Sequence, residues 1–567
     1  MKNHGGMTNL ESKVHPNHYL IHKYWSRKPH NIVNYYIQKY TRQENVVLDP
    51  YMGSGVVILE ALKLKRKTIG IDLNPIACFL INSMIEKVDV TELKNICDDI
   101  LISLNEINNF YYKTNCPKCN KDSIIITSLV EESVRCNNCG YDNYISGSKR
   151  IGNKYYCKNC GSPLSRINEY ISYNYIKIKG SCPDCGHFIK NYQDKDNQQL
   201  TRIHEDFINF KNIKGKWIPT KRIESSIKRS GKEMLYELFS ERNIIVINSL
   251  IEKIYSITKK EIRDCLLINL TASLPNMSRM IPADKDSIRG KSGWQIPKYY
   301  IFPSHIEMNV ISAYKKRFDS NLAGWNELAE MDIERKDALI LNQSSISLSY
   351  IKDESIDYIF TDPPYGKTIH YLSLSDIWNS ILDFNVNKDE EIIWDESRKK
   401  TLERYYNDLL SVFEECFRVL KKDKFMSLTF NARDLKLVRI LINSCINSGF
   451  NLIDVDHIDF AVSSATQGLN WKNTLKGDFI FTFQKGSNKG LILCPILANI
   501  NEQIVEDIRE ILNEKGPLEF GNLYALLIPR LVKKGFFNDD SIDKVNIDEL
   551  LELNFTKEIN SKVFWNC

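Results

Sequence analysis

Two short stretches of the chain carry side chains that could take part in a reaction. The first is the sequence Thr-Asp-Pro-Pro-Tyr-Gly at 361–366, which follows the apolar run 356–360. That run predicts a buried strand, and two prolines cannot continue a β-ladder, so the backbone must leave the sheet there. An acid, an exposed carbonyl and an aromatic ring are thereby expected at the carboxyl edge of a strand, where open α/β sheets bind their ligands.

The chemistry that suits these groups is methyl transfer to an exocyclic amino group of a base. Such an amine is a poor nucleophile because its lone pair is delocalised into the ring. The carboxylate of Asp362 and the carbonyl of Pro363 could hold the N–H groups, and Tyr365 could stack on a base swung out of a helix. The four residues Asp362-Pro363-Pro364-Tyr365 resemble the DPPY motif of S-adenosylmethionine-dependent amino-methyltransferases, which act on adenine N6 or cytosine N4. The resemblance implies that all four belong to the catalytic site.

The second stretch is a glycine turn between a predicted strand at 45–49 and a predicted helix. Glycines at a strand-to-helix turn let the backbone approach a ligand closely. A second strand, 68–72, ends in Asp72, which lies 23 residues after Asp49. This spacing matches the offset of about 20 residues at which an acid binds ribose hydroxyls in Rossmann-type units. A third glycine and a P-loop lysine do not follow the turn, so a dinucleotide or ATP site is disfavoured.

The turn and the acid resemble motifs I and II of the same methyltransferases, where phenylalanine is more common at the place of Tyr51. The resemblance implies that S-adenosylmethionine is bound by Asp49, Pro50, Tyr51, Gly53, Gly55, Asp72, Leu73 and Asn74. Residues 22–30 are dense in polar and aromatic side chains and resemble an N-terminal motif that closes the cofactor pocket in some DNA methylases. Trp25 and Lys28 are therefore predicted to contact the cofactor, with aromatic packing beneath the sheet as the alternative.

A further cofactor contact is expected after the predicted strand 338–341. Related enzymes usually carry an acid there, which holds the adenine amino group of the cofactor. This chain has Asn342 and Gln343 instead. An amide in that place cannot make the same charged contact with the adenine amino group. Both residues are nevertheless predicted to lie at the cofactor.

Eight of the fifteen cysteines form four Cys-x-x-Cys pairs, separated by 16, 17 and 21 residues. Two such pairs joined by a short hairpin suit tetrahedral Zn²⁺, and four thiolates leave no open position on the ion, so two structural zinc sites are predicted. Redox-active pairs are the alternative, which the absence of a thioredoxin-like βαβ pattern disfavours. We expect sequential pairing, with Cys116, Cys119, Cys136 and Cys139 on one ion and Cys157, Cys160, Cys182 and Cys185 on the other.

The charge of the chain is concentrated in this cysteine-rich part. The whole chain has a formal charge of +5, whereas residues 111–230 contain 21 Lys and Arg against 11 Asp and Glu. A basic segment on a nearly neutral body suits contact with a phosphate backbone, and a solvated lysine-rich surface is the alternative. Residues 279–297 are predicted to form a basic loop with Trp294 exposed. Arg and Trp on such a loop can contact phosphates and bases, and ordinary anchoring of the loop is the alternative. The polar loop at 463–477 could touch the target strand.

Strands alternate with helices on both sides of the cysteine-rich part, which predicts an α/β fold with one doubly wound sheet split by an insert. The second half adds a predicted helix at 402–420 and strands at 425–430, 450–455 and 478–484. The predicted domains are 1–110 with the glycine turn, 111–200 with the double zinc ribbon, 201–335 as a helical insert for target recognition, 336–485 with the DPPY motif, and 486–567 as a small, separate helical region.

The order of glycine turn, insert and DPPY resembles the α-type order of DNA amino-methyltransferases. More closely, the chain is similar to zinc-ribbon-containing adenine-specific DNA methylases, over about residues 15–80 and 338–485. The resemblance implies a Rossmann-like methyltransferase sheet, S-adenosylmethionine as donor, a flipped DNA base as acceptor, and a role in modification or restriction-linked defence. DNA is the expected partner, and a restriction or defence-system subunit is a further candidate.

Adenine N6 is favoured over cytosine N4 because aspartate, not serine, precedes the two prolines. Two alternatives stay open: an RNA guanine-N2 methylase, since those also show DPPY followed by glycine, and a non-catalytic zinc-ribbon protein that binds nucleic acid. No apolar run approaches the roughly 20 residues of a membrane span, and the N-terminus lacks the apolar region of a signal peptide. A cytoplasmic location without a membrane partner is therefore expected.

Overall fold

The computed structural model describes residues 11–152, 154–165, 171–228, 232–284, 287–290, 294, 297–459, 475, 477–486, 499–559 and 563–567. The chain before the cysteine-rich part forms α1 (His30–Tyr40), β1 (Val46–Asp49), α2 (Val56–Lys63), β2 (Lys67–Asp72), α3 (Pro75–Met84), α4 (Val90–Ser103) and α5 (Asn105–Tyr111). The inserted part begins with β3 (Lys113–Asn115), β4 (Asp122–Arg135), β5 (Asp142–Tyr144), β6 (Lys149–Ile151), β7 (Lys154–Tyr156), β8 (Pro163–Leu164), β9 (Ile171–Cys182) and β10 (Gly186–Asn191).

The insert continues with α6 (Asp194–Lys211), α7 (Glu241–Tyr255), α8 (Lys260–Met277), β11 (Ala283–Asp284), β12 (Ser287–Gly290), β13 (Ser304–Met308) and α9 (Val310–Glu330). The second half of the main sheet follows with β14 (Ala338–Asn342), β15 (Ile356–Thr361), α10 (Tyr371–Asn379), α11 (Leu402–Val419), β16 (Leu420–Phe430), α12 (Leu435–Asn447), β17 (Asn451–Ile458) and β18 (Asp478–Gln484). The chain ends with α13 (Ile500–Lys515), β19 (Leu518–Glu519), α14 (Phe520–Lys533), α15 (Ile547–Asn554), β20 (Thr556–Ile559) and β21 (Val563–Asn566).

Among the described residues, seven strands form the main sheet in the order β14-β2-β1-β15-β16-β18-β17. All of them run parallel except β18, which is antiparallel to both of its neighbours. The sheet is therefore mixed in strand direction. Together with its flanking helices it forms an α/β fold, as predicted. The insert separates β1 and β15 in sequence, yet the two strands pair side by side, with Val47 opposite Tyr358. The turns that follow these two strands consequently emerge at the same edge of the sheet.

Two large hydrophobic clusters cover the two faces of this sheet. One contains α1, α2 and α3 together with the helices of the insert, and the other contains α11, α12 and the C-terminal helices. Parallel strands need cover on both faces, which accounts for the continuous burial of β15. Within the described part of the chain, helices of sufficient length and apolarity to cross a bilayer are not found.

The C-terminal part is not the separate helical region that the sequence suggested. Its α13, α14 and α15 pack into the same hydrophobic cluster as β18 and α12, and the buried Trp565 belongs to that cluster as well. Tyr524 donates a hydrogen bond to the carbonyl of Ala432 at 2.7 Å. A three-stranded sheet, β19-β21-β20, accompanies the helices. The apolar spacing of the helices predicted their existence, but not the surface of the sheet on which they pack.

A long antiparallel ribbon of β4 and β9 forms the framework of the cysteine-rich part. The two strands pair from Ile124 opposite Ser181 to Val134 opposite Ile171. The strands β10 and β13 extend this ribbon into a sheet, to which β3 and β5 also pair. One end of the ribbon therefore lies beside β3 and α6, and the other end carries β5.

Candidate active site

One cavity lies at the carboxyl edge of β1, β2 and β15, with an empty volume of about 1020 Å³ that includes space open to solvent. It is lined by the glycine turn, by Asp72 and by Asp362, so the two stretches singled out in the sequence face one space. This juxtaposition follows from the pairing of β1 with β15, because both turns leave adjacent parallel strands.

The glycine turn has a backbone that few other residues could adopt. Gly53 and Gly55 have φ values of +51° and +72°, in the left-handed region that glycine enters without steric cost. A Cβ atom on Gly55 would lie 2.0 Å from the Cδ1 atom of Ile81, so glycine here lets α3 pack closely against α2. A Cβ atom on Gly53 would instead lie 3.3 Å from the ring of Tyr24, which lines the cavity.

The carboxylate of Asp72 fixes the turn from the neighbouring strand. Its Oδ2 accepts a hydrogen bond from the backbone N–H of Gly53, and its Oδ1 accepts one from that of Asn74, both at 2.8 Å. Burial raises the pKa of Asp72 to about 6, against these two hydrogen bonds, which favour the ionised form. A carboxylate held in this way presents its remaining lone pairs to the cavity, as a site for hydroxyl donors requires.

Asp49 links the two turns beneath the cavity. Its Oδ1 accepts hydrogen bonds from the backbone N–H of Tyr51 at 3.0 Å and from the hydroxyl of Thr361 at 2.9 Å. Burial raises the pKa of this carboxyl to about 8, although both hydrogen bonds work in the other direction. Thr361 directly precedes Asp362, so this contact couples the position of the glycine turn to that of the acid.

Asp362 lies in an ionic cluster that the sequence did not reveal. The ammonium group of Lys28 is 3.2 Å from Asp362 Oδ1 and 2.6 Å from Asp478 Oδ2. Thr429 donates a hydrogen bond to Asp362 Oδ1 at 2.9 Å. Burial raises the pKa of Asp362, and the charge of Lys28 opposes that rise. Burial also disfavours the charge on Lys28, but the two carboxylates outweigh it and raise the pKa of Lys28, so the lysine is a permanent cation.

Tyr365 occupies a different place from the one expected of a stacking residue. Lys28 donates a hydrogen bond to its hydroxyl at 2.6 Å, and its ring packs on Phe430 with centroids 4.7 Å apart. Pro364 lines the cavity and Pro363 is buried. Tyr405 fixes this bend, because its hydroxyl donates to the carbonyl of Pro364 and accepts from the N–H of Gly366. In this conformation Tyr371, which lines the cavity and stacks near Tyr24, offers an aromatic face there.

The N-terminal segment closes one side of the cavity. Trp25 and Lys28 both line it, together with Tyr24, Ser26 and Arg27. The ammonium group of Lys28 is directed at the two carboxylates of the ionic cluster, rather than at the glycine turn.

The prediction that Trp294 is exposed is wrong. It is 2% exposed, stacks on Tyr299 and contacts Trp25 edge-on.

The segment after β14 contributes two serines to the cavity. Ser344 and Ser345 line it, whereas the side-chain amide of Asn342 donates to the carbonyls of Asp72 and Leu73 at 2.9 and 3.1 Å. The backbone N–H of Gln343 donates to the carbonyl of Asp72. The two amide residues thus brace the end of β2. The polar loop predicted at 463–477 lies almost entirely outside the described residues.

Sequence reasoning did not find several residues of this site, namely Tyr371, Tyr405, Thr429 and Asp478. A local signal existed for Asp478 alone, since an acid at the start of the strongly apolar strand β18 would be buried and would need a partner. The others come from elements whose packing against the cavity depends on the full topology.

The eight cysteines form two groups, each of which could hold a metal ion. Their Sγ atoms lie within 4.8 Å of one another in each group. The separations of Cys119 from Cys182, and of Cys136 from Cys160, are 3.6 Å. Tetrahedral Zn²⁺ with Zn–S distances of about 2.3 Å would place sulfur atoms about 3.8 Å apart, so the arrangement fits zinc. The groups are Cys116, Cys119, Cys182 and Cys185, and Cys136, Cys139, Cys157 and Cys160.

The sequential pairing predicted for these cysteines is therefore wrong, and the pairing is nested. In the antiparallel ribbon, the knuckle before β4 meets the knuckle after β9 at one end. The knuckle after β4 lies at the other end, where it meets the pair at 157 and 160. The spacing between pairs gave no information on this, because it does not reveal which strands pair with each other.

Comparison with known proteins identifies the two segments around the cavity. Residues 6–83 and 356–547 match the model of the N6/N4 DNA methylase family, described as "DNA methylase". These segments make up slightly less than half of the chain and contain the glycine turn, the acid at 72, the DPPY motif and the ionic cluster. The resemblance to amino-methyltransferases is thus confirmed for these two segments.

Two individual similarities are weaker. The chain is 28% identical over 88 residues to the Type II methyltransferase M.MjaII of Methanocaldococcus jannaschii, a match that covers 16% of this chain and 17% of that protein. A solved structure entitled "Structure of an antibiotic related Methyltransferase" is 13% identical, with 28% of this chain and 68% of that chain covered and a TM-score of 0.15. A likeness this weak does not bear on the fold.

Proposed function

We propose that this chain, whose segments 6–83 and 356–547 match the N6/N4 DNA methylase family, transfers a methyl group from S-adenosylmethionine to an exocyclic amino group in DNA. The observation that carries the proposal is the single cavity lined by both the glycine turn and Asp362. Adenine N6 is the favoured acceptor, since aspartate precedes the two prolines. A role in DNA modification is part of the proposal, and the similarity to a Type II methyltransferase supports it.

The topology of the main sheet supports a Rossmann-like methyltransferase fold. If β14, β2, β1, β15, β16 and β17 are counted as strands 3, 2, 1, 4, 5 and 6, their order is that of the doubly wound dinucleotide-binding sheet. The antiparallel β18 is inserted between the last two. The order reverses between β1 and β15, which is where such sheets bind their ligands.

The residues around the glycine turn fit S-adenosylmethionine. Asp72 presents an acceptor for ribose hydroxyls, and the turn at Gly53 leaves open a space that a side chain would occupy. When bound, the cofactor supplies a methyl group on a positively charged sulfur. Asp362 would hold an N–H of the acceptor amine and take up the proton that the nitrogen must lose. Positioning of the reactants provides most of the rate in such a transfer, and the carboxylate stabilises the charge that develops on nitrogen.

Replacing Gly53 with valine should weaken binding of S-adenosylmethionine. A β-branched residue is strained at φ +51°, and its side chain would extend toward Tyr24 across the cavity. We expect the dissociation constant to rise by at least about tenfold, which corresponds to about 1.4 kcal/mol. Calorimetric titration of the variant would measure this. Gly215→Val is the matched control, because Gly215 has φ +80° but nothing within 4 Å of its Cβ position. Equal affinity of the Gly53 variant and wild type would contradict the role of the turn.

Removal of metal should affect the two cysteine groups unequally. The group with Cys116 and Cys182 belongs to the main hydrophobic cluster, whereas the group with Cys136 and Cys157 has a small cluster of its own. Structural zinc contributes folding free energy directly, so Cys116→Ser should lower the thermal stability of the whole protein. Cys136→Ser should release one zinc ion and leave the main unfolding transition nearly unchanged. Zinc analysis and calorimetry of both variants would test this, and equal destabilisation by the two substitutions would contradict it.

The proposed function is tested by transfer of a tritiated methyl group to duplex DNA and, in parallel, to tRNA. Label in DNA, recovered as N6-methyladenine after nuclease digestion, is the expected result. Recovery as N4-methylcytosine would keep the enzyme class and change the base. Label in tRNA guanine alone would favour an RNA methylase instead. Binding of S-adenosylmethionine without transfer to either substrate would favour a non-catalytic nucleic-acid-binding protein.

A further inference from the structure

The cysteine group furthest from the main body is part of a compact unit, residues 136–165, which we call the distal module. It contains β5 to β8, of which β6, β7 and β8 form a sheet of their own. Its buried side chains, among them Ile145 and Leu164, form a cluster separate from the two large ones. The distal module is thus held to the body through the β4–β9 ribbon and has its own core.

The surface of the distal module is basic. Between 136 and 165 the sequence contains four basic residues, Lys149, Arg150, Lys154 and Lys158, and a single acid. That acid, Asp142, is bound by Arg135 at 2.9 and 3.0 Å, so its charge is offset by a residue of the ribbon. All four basic side chains are exposed. A Cys₄ zinc site carries negative charge of its own, and these four cations belong to the same module.

The distal module also exposes three large side chains. Tyr141, Tyr144 and Ile151 are 47%, 42% and 55% exposed. Tyrosines among lysines and arginines are typical of surfaces that contact nucleic-acid backbones and sugars. Charge and composition therefore both point to a polyanion as the partner of this surface.

The distal module extends from the end of the ribbon that is joined to the wall of the cavity. Trp294 contacts Trp25, which lines the cavity, and Tyr299 donates to the backbone of α10. The chain then runs from 299 to β13, and the N–H of Glu132 donates to the carbonyl of Pro303 at 2.7 Å. From Glu132 the strand β4 continues directly into the distal module. The other cysteine group lies at the opposite end of the ribbon, beside α6.

We propose that the distal module is a DNA-binding arm that holds the phosphate backbone of the duplex flanking the target base, through Lys149, Arg150, Lys154 and Lys158. This inference rests on the proposed function. It assigns backbone contact to the cysteine-rich arm, a role distinct from target recognition by the helical part at 201–335. Contacts to phosphates give affinity and position without reading the sequence, so the arm would fix the duplex while the cavity receives the base.

The test compares two variants of the full-length, zinc-loaded protein. The first, K149Q/R150Q/K154Q/K158Q, removes the four cations of the arm. The second, K94Q/K336Q/K352Q/K515Q, removes four exposed cations elsewhere on the protein and serves as the control for net charge. Binding to a duplex of mixed sequence, about 40 base pairs long, is measured at several salt concentrations, because each neutralised phosphate contributes about 0.9 to the slope of log K against log[salt]. Zinc content and the thermal transition verify that each variant is folded.

The arm variant should lose at least about tenfold in DNA affinity at moderate salt, and up to about 3.6 in the slope of log K against log[salt], while the control stays near wild type. Its single-turnover methylation rate at saturating DNA should be unchanged, because the cavity is intact.

Equal affinity and slope in both variants, with wild-type methylation of DNA preserved, would overturn the arm but leave the proposed function standing. A change of oligomeric state in the arm variant without a change in DNA binding would also overturn it, in favour of contact with a second copy. Failure of the wild type to bind or methylate DNA would overturn both.

Discussion

Replacing Asp362 with asparagine should reduce methyl transfer by about 10²–10³-fold, the usual cost of losing one group that stabilises charge developing in a transition state. Binding of S-adenosylmethionine should stay within a few fold of wild type. The reason for the separation is geometric. In the proposed arrangement the turn after β1 and Asp72 contact the cofactor, whereas Asp362 follows β15, the strand that pairs with β1. Asparagine keeps the size of the side chain but cannot accept a proton.

Single-turnover methylation and calorimetric binding of the cofactor would measure the two effects separately. Asp353→Asn is a matched control. Asp353 precedes the N-terminal end of β15, whereas Asp362 follows its C-terminal end, and the side chain of Asp353 is 72% exposed. It should leave the rate nearly unchanged. Full methylation by the Asp362 variant would remove this carboxylate from the mechanism. A parallel loss of cofactor affinity would show instead that the substitution has disturbed the whole cavity through Thr361 and Asp49.

The parts of this site that the sequence predicted are those governed by local rules. Glycines with positive φ, an acid at the end of the next strand and two prolines after a buried strand each constrain the backbone within a few residues. The strands β15 and β18 and the helix α11 end within a residue of their predicted bounds for the same reason. The proximity of Asp362 to the glycine turn was a prediction from motif order, and the cavity bears it out.

The parts that the sequence did not predict depend on which distant elements meet. Cysteine pairing was missed because the antiparallel ribbon determines it, and nothing in the spacing reveals the partner strand. Trp294 was expected on the surface because basic and polar residues surround it in sequence, yet it fills a space between Trp25, Trp378 and Tyr299. Lys28 was assigned to the cofactor from its segment, and the partner that redirects it, Asp478, lies 450 residues away.

Substitution of Lys28 is the second change for which we expect a large effect. The quantity that should change is the pH dependence of the methylation rate. The ionisable groups that face Asp362 are Lys28, Asp478, Asp49, Tyr365 and Tyr371. Burial raises the pKa of Asp362, Lys28 lowers it and Asp478 raises it. In the proposed mechanism, methylation requires the Asp362 carboxylate in its ionised form. Removing the cation should therefore raise the pKa of Asp362 further and move the acid limb of the rate profile to higher pH.

We expect Lys28→Met to lose methylation most strongly at low pH, by about tenfold for each unit by which the limb moves, and to recover part of it as pH rises. Lys28→Arg keeps the charge and should keep the limb near its wild-type position. The substitution by methionine also leaves Asp478, whose side chain is 7% exposed, without its cation, and unpaired buried charges destabilise proteins by about 3–5 kcal/mol. Thermal unfolding must therefore be measured alongside the rate profile.

The double variant Lys28→Met/Asp478→Asn separates electrostatics from packing. It removes the cation together with the carboxylate that opposes it, so it should regain much of the lost stability. Its acid limb should lie between those of wild type and the single variant, because the lowering by Lys28 exceeds the raising by Asp478. If Lys28 acted only by holding β18 and the N-terminal segment together, both variants would lose rate equally at every pH and the limb would not move. That outcome would leave the proposed role of the Asp362 carboxylate standing and reduce Lys28 to a structural contact.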